Sequence, residues 1–141
     1  MPFTQIVYES LASDKLTEAD VLDILRLSQT RNNQAGVSGI LLFRGRRFLQ
    51  FLEGPKAEVE ALYARIERDP RHRELRILSH TNGEQLLMPT WAMAYVSPTF
   101  ERRQEDPFVL GRQQALNVCE LLPEEIARPF LDLLNDESEA V

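Results

Sequence analysis

The sequence predicts an α+β, ferredoxin-like fold: a β-α-β-β-α-β-β sheet over residues 3–97 with two helices on one face, followed by a short C-terminal helical extension. Three observations support this prediction. Apolar residues alternate at the N-terminus, two apolar runs flank a glycine turn, and two segments between strands carry apolar residues at helical spacing. A chain of 141 residues is also the usual size of one domain.

The first strand and the first helix are predicted close to the N-terminus. In "FTQIVYE", Ile6 and Tyr8 share one face, which is the period of two that a β-strand requires. Thr17 then provides a helix N-cap, and Leu16 is placed to pack against Val21 as a hydrophobic staple. The face of this helix continues at helical spacing through Val21, Ile24, Leu25 and Ser28.

A β-hairpin is predicted from "GVSGILLFRGRRFLQFLEG". Its two apolar runs flank Arg44 and Gly45, a plausible two-residue turn with glycine available for a positive φ. A turn at these two residues sets Gly39 opposite Gln50 across the hairpin. Gln50 lies at the centre of the second apolar run, between Leu49 and Phe51.

A second helix is predicted after the hairpin, opened by Pro55 in its first turn. The apolar stripe of this helix is formed by Val59, Leu62, Tyr63 and Ile66. Two further strands are predicted after it, at 74–80 and 90–96.

Beyond residue 98 the periodicity of apolar residues is weaker. Two short amphipathic helices are predicted there, in "FVLGRQQALNVCELL" and "PEEIARPFLDLL". Pro123 opens the second helix, and Pro129 is expected to disturb it. We interpret residues 99–141 as an extension that caps the free face of the sheet or serves as an output surface, not as a second domain.

Composition narrows the class of function. The net charge of −6 and the lack of a dense Lys/Arg block argue against direct nucleic-acid binding and give no support for an anionic membrane surface. A single cysteine, Cys119, excludes an intrachain disulfide and a multi-cysteine metal site. Without a secretory signal or an apolar run of about 20 residues, a cytoplasmic protein is expected. Phosphate-loop, dinucleotide-binding and nucleophile-elbow motifs are also absent from the sequence.

Gln50 is the residue that composition does not explain. Burying an amide without partners costs roughly 2–7 kcal/mol, so Gln50 requires hydrogen bonds within the fold. A bond to Tyr8 or to a helix end would be a purely structural solution. Strand parity, however, gathers an unusual group on the face that carries the helices: Tyr8, Leu41, Phe48, Gln50, Trp91 and Met93.

From about Phe3 to Val96 the chain resembles the BLUF family, the blue-light sensors that use FAD. The resemblance is carried by "VYES", "SQTRNNQAGVSGILLF", "RRFLQFLEG", "YARIERDPRH" and "PTWAMAYVS", in the family's order and spacing. It identifies residues 1–98 as the flavin-binding domain. No single one of these motifs would be specific.

The resemblance implies roles for individual residues. Tyr8 corresponds to the photoactive tyrosine, Gln50 to the switching glutamine, and Asn32 to the asparagine that holds the pyrimidine edge of the flavin. Trp91 and Met93 correspond to the pair that exchanges or reports conformation on the last strand. The implied cofactor-binding set is Tyr8, Ile24, Ser28, Arg31, Asn32, Leu41, Phe48, Gln50, Arg65, Asp69, Arg71 and His72, the last four near the ribityl and phosphate part.

The implied function is light sensing and not catalysis. Blue light drives an electron from Tyr8 with a proton following through Gln50, and the rearranged amide shifts the flavin absorption to the red. The signal then passes to a separate effector protein or changes self-association, so a homo-oligomer is expected. Two alternatives remain open from the sequence: a small ferredoxin-like hydrolase and a flavin-free interaction module, both of which would be colourless.

Overall fold

The computed structural model describes residues 2–87, 94–96, 109–110 and 112–135. Its strands are β1 (Phe3–Ala12), β2 (Ser38–Arg44), β3 (Arg47–Pro55), β4 (His72–Gly83), β5 (Ala94–Val96) and β6 (Val109–Leu110). Its helices are α1 (Glu18–Ala35), α2 (Lys56–Glu67), α3 (Arg112–Leu121) and α4 (Glu124–Leu134). Among the described residues the strands form one sheet in the order β4-β1-β3-β2-β5-β6.

The sheet confirms the ferredoxin-like prediction. β1 and β3 are central and antiparallel, β4 and β2 flank them antiparallel, and β5 adds to β2 in parallel. The crossovers through α1 and α2 place both helices over the same face. That face has its own apolar core, which includes Ile6, Leu25, Leu52 and Val59.

α1 begins where the sequence predicts. Thr17 Oγ1 accepts the Asp20 N–H at 3.1 Å, and the Asp20 carboxylate accepts the Thr17 N–H at 2.9 Å, which completes a capping box. These bonds hold the pKa of Asp20 below its usual value. The helix ends at Gly36, whose φ of 73° provides a left-handed C-cap.

The predicted hairpin register is wrong. Arg44 pairs with Arg47, so the two-residue turn is Gly45 and Arg46, and both have positive φ. The Arg46 guanidinium donates to the main-chain oxygens of Leu16 and Ser13, and these contacts from another part of the chain hold a residue other than glycine in the left-handed region.

The corrected register changes partners but not faces. Leu41, not Gly39, lies opposite Gln50. The observed register differs from the predicted one by two residues, and since side chains alternate with a period of two, Gln50 still points to the helix-bearing face.

Several element boundaries also differ from prediction. Pro55 ends β3 and occupies the N-cap of α2 instead of its first turn. Val109 and Leu110, predicted to open a helix, form β6 because they pair in parallel with β5. The predicted strand segment at 90–93, with Trp91 and Met93, lies outside the described residues.

The two C-terminal helices pack on the sheet face opposite α1 and α2. Strand residues on that face include Leu49 and Phe51, which alternate with Gln50 along β3. α4 continues through Pro129 without a break, contrary to the prediction, because burial of its apolar side outweighs one missing main-chain bond. That side consists of Ile126, Ala127, Phe130, Leu133 and Leu134.

A buried arginine fastens α4 to the sheet. Arg44 Nη1 donates to the carbonyl oxygens of Leu133 and Leu134, both at 2.7 Å. These carbonyls belong to the negative end of the helix dipole, where a cation is favourable.

Replacing this arginine is expected to destabilise the protein. In Arg44→Met the aliphatic stem is kept but the donors are lost, and we expect the free energy of unfolding to fall by about 2–4 kcal/mol. Arg128→Met, on the exposed side of α4, is the matched control and should change stability little. Equal urea midpoints for the two variants would contradict the role of Arg44 in holding α4 against the sheet.

Within the part of the chain that the structure describes, every helix is too short or too polar to cross a membrane.

Candidate functional site

A deep cavity opens between α1 and α2, with the sheet as its floor. The space inside it that water-sized spheres can occupy is about 180 Å³. Its lining is mainly apolar with a few polar groups, which is typical of a site for an organic ligand.

The floor of the cavity is a hydrogen-bonded pair on the two central strands. Tyr8 and Gln50 are direct partners in the β1–β3 register. Tyr8 Oη–H donates to Gln50 Oε1, and the two residues are 3% and 8% exposed. Because the amide oxygen faces the phenol, the Nε2 group is directed away from Tyr8.

The environment of Tyr8 keeps its phenol protonated. Burial raises the pKa of Tyr8 far above its ordinary value, and the nearby Tyr63 and Asp69 raise it further. The rings of Tyr8 and Tyr63 meet edge to face at 5.5 Å between centroids. The phenol can thus act as a donor toward Gln50 over the whole physiological pH range.

His72 closes one side of the cavity, and the protein itself holds both ring nitrogens. Nε2 lies 2.7 Å from the Ile66 carbonyl oxygen, and Nδ1 lies 2.8 Å from Ser10 Oγ. Since a carbonyl only accepts, Nε2 carries a proton. The imidazole ring also packs edge to face against the ring of Phe48, with 6.2 Å between the two ring centroids. His72 therefore presents its ring to the cavity, while its nitrogens serve to position it.

The mouth of the cavity carries charge. Arg71 Nε donates to both carboxylate oxygens of Asp69, at 2.8 and 2.9 Å. The guanidinium holds the pKa of Asp69 below its usual value, so this carboxylate is ionised. Arg31 and Arg65 line the same cavity. The mouth thus combines three cations with one carboxylate.

Helical spacing explains the walls. Ile24, Ser28 and Asn32 follow each other at intervals of four residues, which puts one apolar and two polar side chains along a single stripe of α1. Asn32 is buried near the end of the helix. From α2, Leu62 and Ile66 supply the opposite apolar wall.

The structure brings all twelve predicted cofactor-binding residues to this one cavity. Trp91 and Met93 lie outside the described residues. Sequence reasoning assigned five further wall residues to the core or did not consider them as ligand contacts, because helical periodicity looks the same for a cavity wall and for a packed core. They are Leu16, Val21, Leu25, Leu62 and Ile66.

The chemistry of the lining fits a flavin dinucleotide. An isoalloxazine has apolar faces and a polar edge, and the cavity pairs aliphatic walls with the amides of Asn32 and Gln50 on its polar side. The arginines at the mouth suit a diphosphate.

Comparison with known families decides the identity of the fold. The family model described as "Sensors of blue-light using FAD" matches residues 3–94. The chain belongs to the BLUF family. It is therefore a blue-light sensor that uses FAD, which confirms the predicted cofactor and the predicted light-sensing role. Because the family consists of sensors, the hydrolase and flavin-free alternatives are set aside.

Similar domains occur within much longer proteins. The blue light- and temperature-regulated antirepressor BluF of Escherichia coli (strain K12) is 39% identical over 69 residues, which is 49% of this chain and 17% of that protein. The photoactivated adenylate cyclase subunit beta of Euglena gracilis is 34% identical over 91 residues, or 64% of this chain and 11% of that protein. The chain thus spans less than a fifth of either relative.

A solved structure covers the chain more fully. The dark-state structure of the BLUF protein BlrB matches with a TM-score of 0.67 at 26% identity, covering 98% of this chain and 91% of that one. The likeness therefore extends past the family match into the C-terminal helices.

Proposed function

We propose that Tyr8 and Gln50 are the photoactive pair of this sensor. The observation that carries the proposal is the Tyr8–Gln50 hydrogen bond on the floor of the cavity. Both side chains line the space between the helices, and Tyr8 also belongs to the apolar core of that sheet face. A fully structural bond would not need to lie at a ligand cavity.

In this proposal, different residues of the cavity bind different parts of FAD. Ile24 and the apolar residues around it would cover a face of the flavin ring, and Asn32 would hydrogen-bond its polar edge. Arg31, Arg65 and Arg71 would hold the ribityl and phosphate part, and Asp69 orients Arg71. When bound, FAD supplies blue-light absorption and, once excited, a strong electron acceptor.

The chain supplies the electron donor, the proton path and the switch. Loss of an electron from Tyr8 acidifies its phenol, and Gln50 Oε1 is in place to receive the proton. The Gln50 amide has an acceptor at one end and donors at the other. Exchange of the two ends would turn Tyr8 Oη from donor into acceptor, and the hydrogen bonds around the cavity would change without a change in composition.

The role of Asn32 is testable against its neighbour. Asn32→Ala removes a buried amide from the cavity, and we expect FAD to bind about tenfold more weakly, as for the loss of one buried hydrogen bond. Asn33→Ala changes the same residue type at an exposed position and should leave affinity unchanged. Equal FAD dissociation constants for the two variants, measured by flavin fluorescence, would remove Asn32 from the site.

We further propose that residues 1–98 form the sensor and residues 99–141 its output surface. Gln50 is flanked in β3 by Leu49 and Phe51, whose side chains belong to the core shared with α3 and α4. A displacement of β3 would therefore reach both helices.

Output is proposed to go to a separate effector protein or into self-association in the cytoplasm. Effector functions appear in the names of relatives, an antirepressor and an adenylate cyclase. The buried thiol of Cys119 suits a reducing compartment. Size-exclusion chromatography with light scattering, in darkness and under blue light, distinguishes the two routes, since only self-association changes the mass of the isolated protein.

A further inference from the structure

A second buried polar pair lies on the same two strands as Tyr8 and Gln50. Gln5 and Glu53 are partners in the β1–β3 register, each three residues away from the corresponding member of the first pair. Because side chains alternate along a strand, an offset of three places this pair on the opposite face of the sheet. Glu53 is 0% exposed.

The Glu53 carboxylate reaches beyond its own strand pair. Glu53 Oε2 accepts the main-chain N–H of Leu87 at 2.8 Å and lies 3.4 Å from Gln5 Nε2. The Thr81 hydroxyl donates to Gln5 Oε1 at 2.9 Å, which fixes the orientation of the Gln5 amide. The bonds thus run from β4 through β1 to β3, and from β3 to the segment that follows β4.

The Glu53–Leu87 bond holds a segment that connects two strands of the sheet. Leu87 lies between the end of β4 and the start of β5. β5 pairs with β2 so that Leu41 is the register partner of both Tyr95 and Gln50. β3 is therefore linked to β5 through the β2 ladder, and the carboxyl group of Glu53 links β3 to Leu87 in the segment between β4 and β5.

We propose that Glu53 is a positioning residue that holds Leu87, in the segment after β4, against the centre of the sheet and couples this segment to Gln50. A buried carboxylate is costly unless hydrogen bonds stabilise it, and an apolar residue would satisfy packing alone. A hydrogen bond from a main-chain N–H to the Glu53 side chain instead sets the position of a particular peptide unit. The coupling rests on the proposed photoactive role of Gln50; the anchoring of Leu87 does not.

Amide exchange in the dark tests the anchor without a photocycle. In FAD-loaded Glu53→Met, the Leu87 amide should exchange about tenfold faster, as expected for losing about 1.4 kcal/mol of protection. Glu53→Gln keeps an acceptor oxygen of the same length and should restore most of the protection. Unchanged exchange at Leu87 in Glu53→Met would overturn the anchor, whether or not the protein responds to light.

Dark recovery after a blue flash tests the coupling. Glu53→Met should retain the red shift but return to the dark spectrum several-fold faster, and Glu53→Gln should recover near the wild-type rate. If Glu53→Met does not fold, Leu87→Pro removes the same bond from the donor side, with Leu87→Ala as the control that keeps the N–H. Equal recovery rates for the compared variants would overturn the coupling, whereas a wild-type protein without any red shift would instead refute the proposed function.

Discussion

Gln50→Leu is expected to leave FAD bound and to abolish the light-induced red shift completely. Leucine is similar to glutamine in volume and suits the apolar strand around it, so the fold and the cavity should persist. It has neither a donor nor an acceptor, so the Tyr8 phenol loses its partner and there is no amide to rearrange. Absorption spectra before and after blue light measure the effect directly.

The matched control for this variant is Gln34→Leu. Gln34 lies on the exposed side of α1, outside the cavity, and its replacement should preserve the full red shift. A normal red shift in Gln50→Leu, at wild-type FAD content, would remove the glutamine from the mechanism.

Tyr8→Phe should also eliminate the photocycle, for a different reason. The phenol is the proposed source of the electron and of the proton, and phenylalanine keeps the ring while removing the group that supplies both. Gln50 Oε1 also loses this buried donor, so we expect the free energy of unfolding to fall by about 1–3 kcal/mol. Transient absorption after a blue flash, together with urea unfolding, checks both expectations.

Tyr63→Phe tests whether the effect of Tyr8→Phe comes from the hydroxyl group of Tyr8 and not from the loss of any tyrosine hydroxyl near the cavity. The ring of Tyr63 contacts that of Tyr8, but Tyr63 lies on α2, and among the described residues it donates no hydrogen bond to Gln50. We expect this variant to photocycle with the wild-type amplitude. If Tyr8→Phe photocycles as well as Tyr63→Phe does, Tyr8 is not the donor.

Sequence patterns were sufficient for the order of elements from β1 to β4, but not for β6 or for the register of the hairpin. The alternation around Tyr8 and the N-cap at Thr17 depend on neighbouring residues, so both could be predicted locally. The turn could not, because Gly45 suits either position of a two-residue loop. Contacts from the distant Ser13 and Leu16 place Arg46 in the turn and decide between the two.

The site was predictable mainly through resemblance. Burial and strand parity identified Gln50 as a residue in need of partners and named Tyr8 as one of them, and the structure contains that bond. Periodicity could not show that α1 and α2 separate to leave a cavity, since the same stripe of apolar residues would form in a closed core. The Glu53–Leu87 bond joins positions 34 residues apart and had no signal in the sequence beyond a charged residue in an apolar strand.

The central claim is that this chain holds FAD in a cavity where the Tyr8–Gln50 pair responds to blue light. An absorption spectrum of the purified protein, recorded in darkness, after blue light and again after dark recovery, tests it most directly. The account predicts the bands of a bound flavin, a red shift on illumination and full reversal in the dark. A colourless protein that takes up no FAD, or a flavin spectrum that light does not shift reversibly, would contradict it.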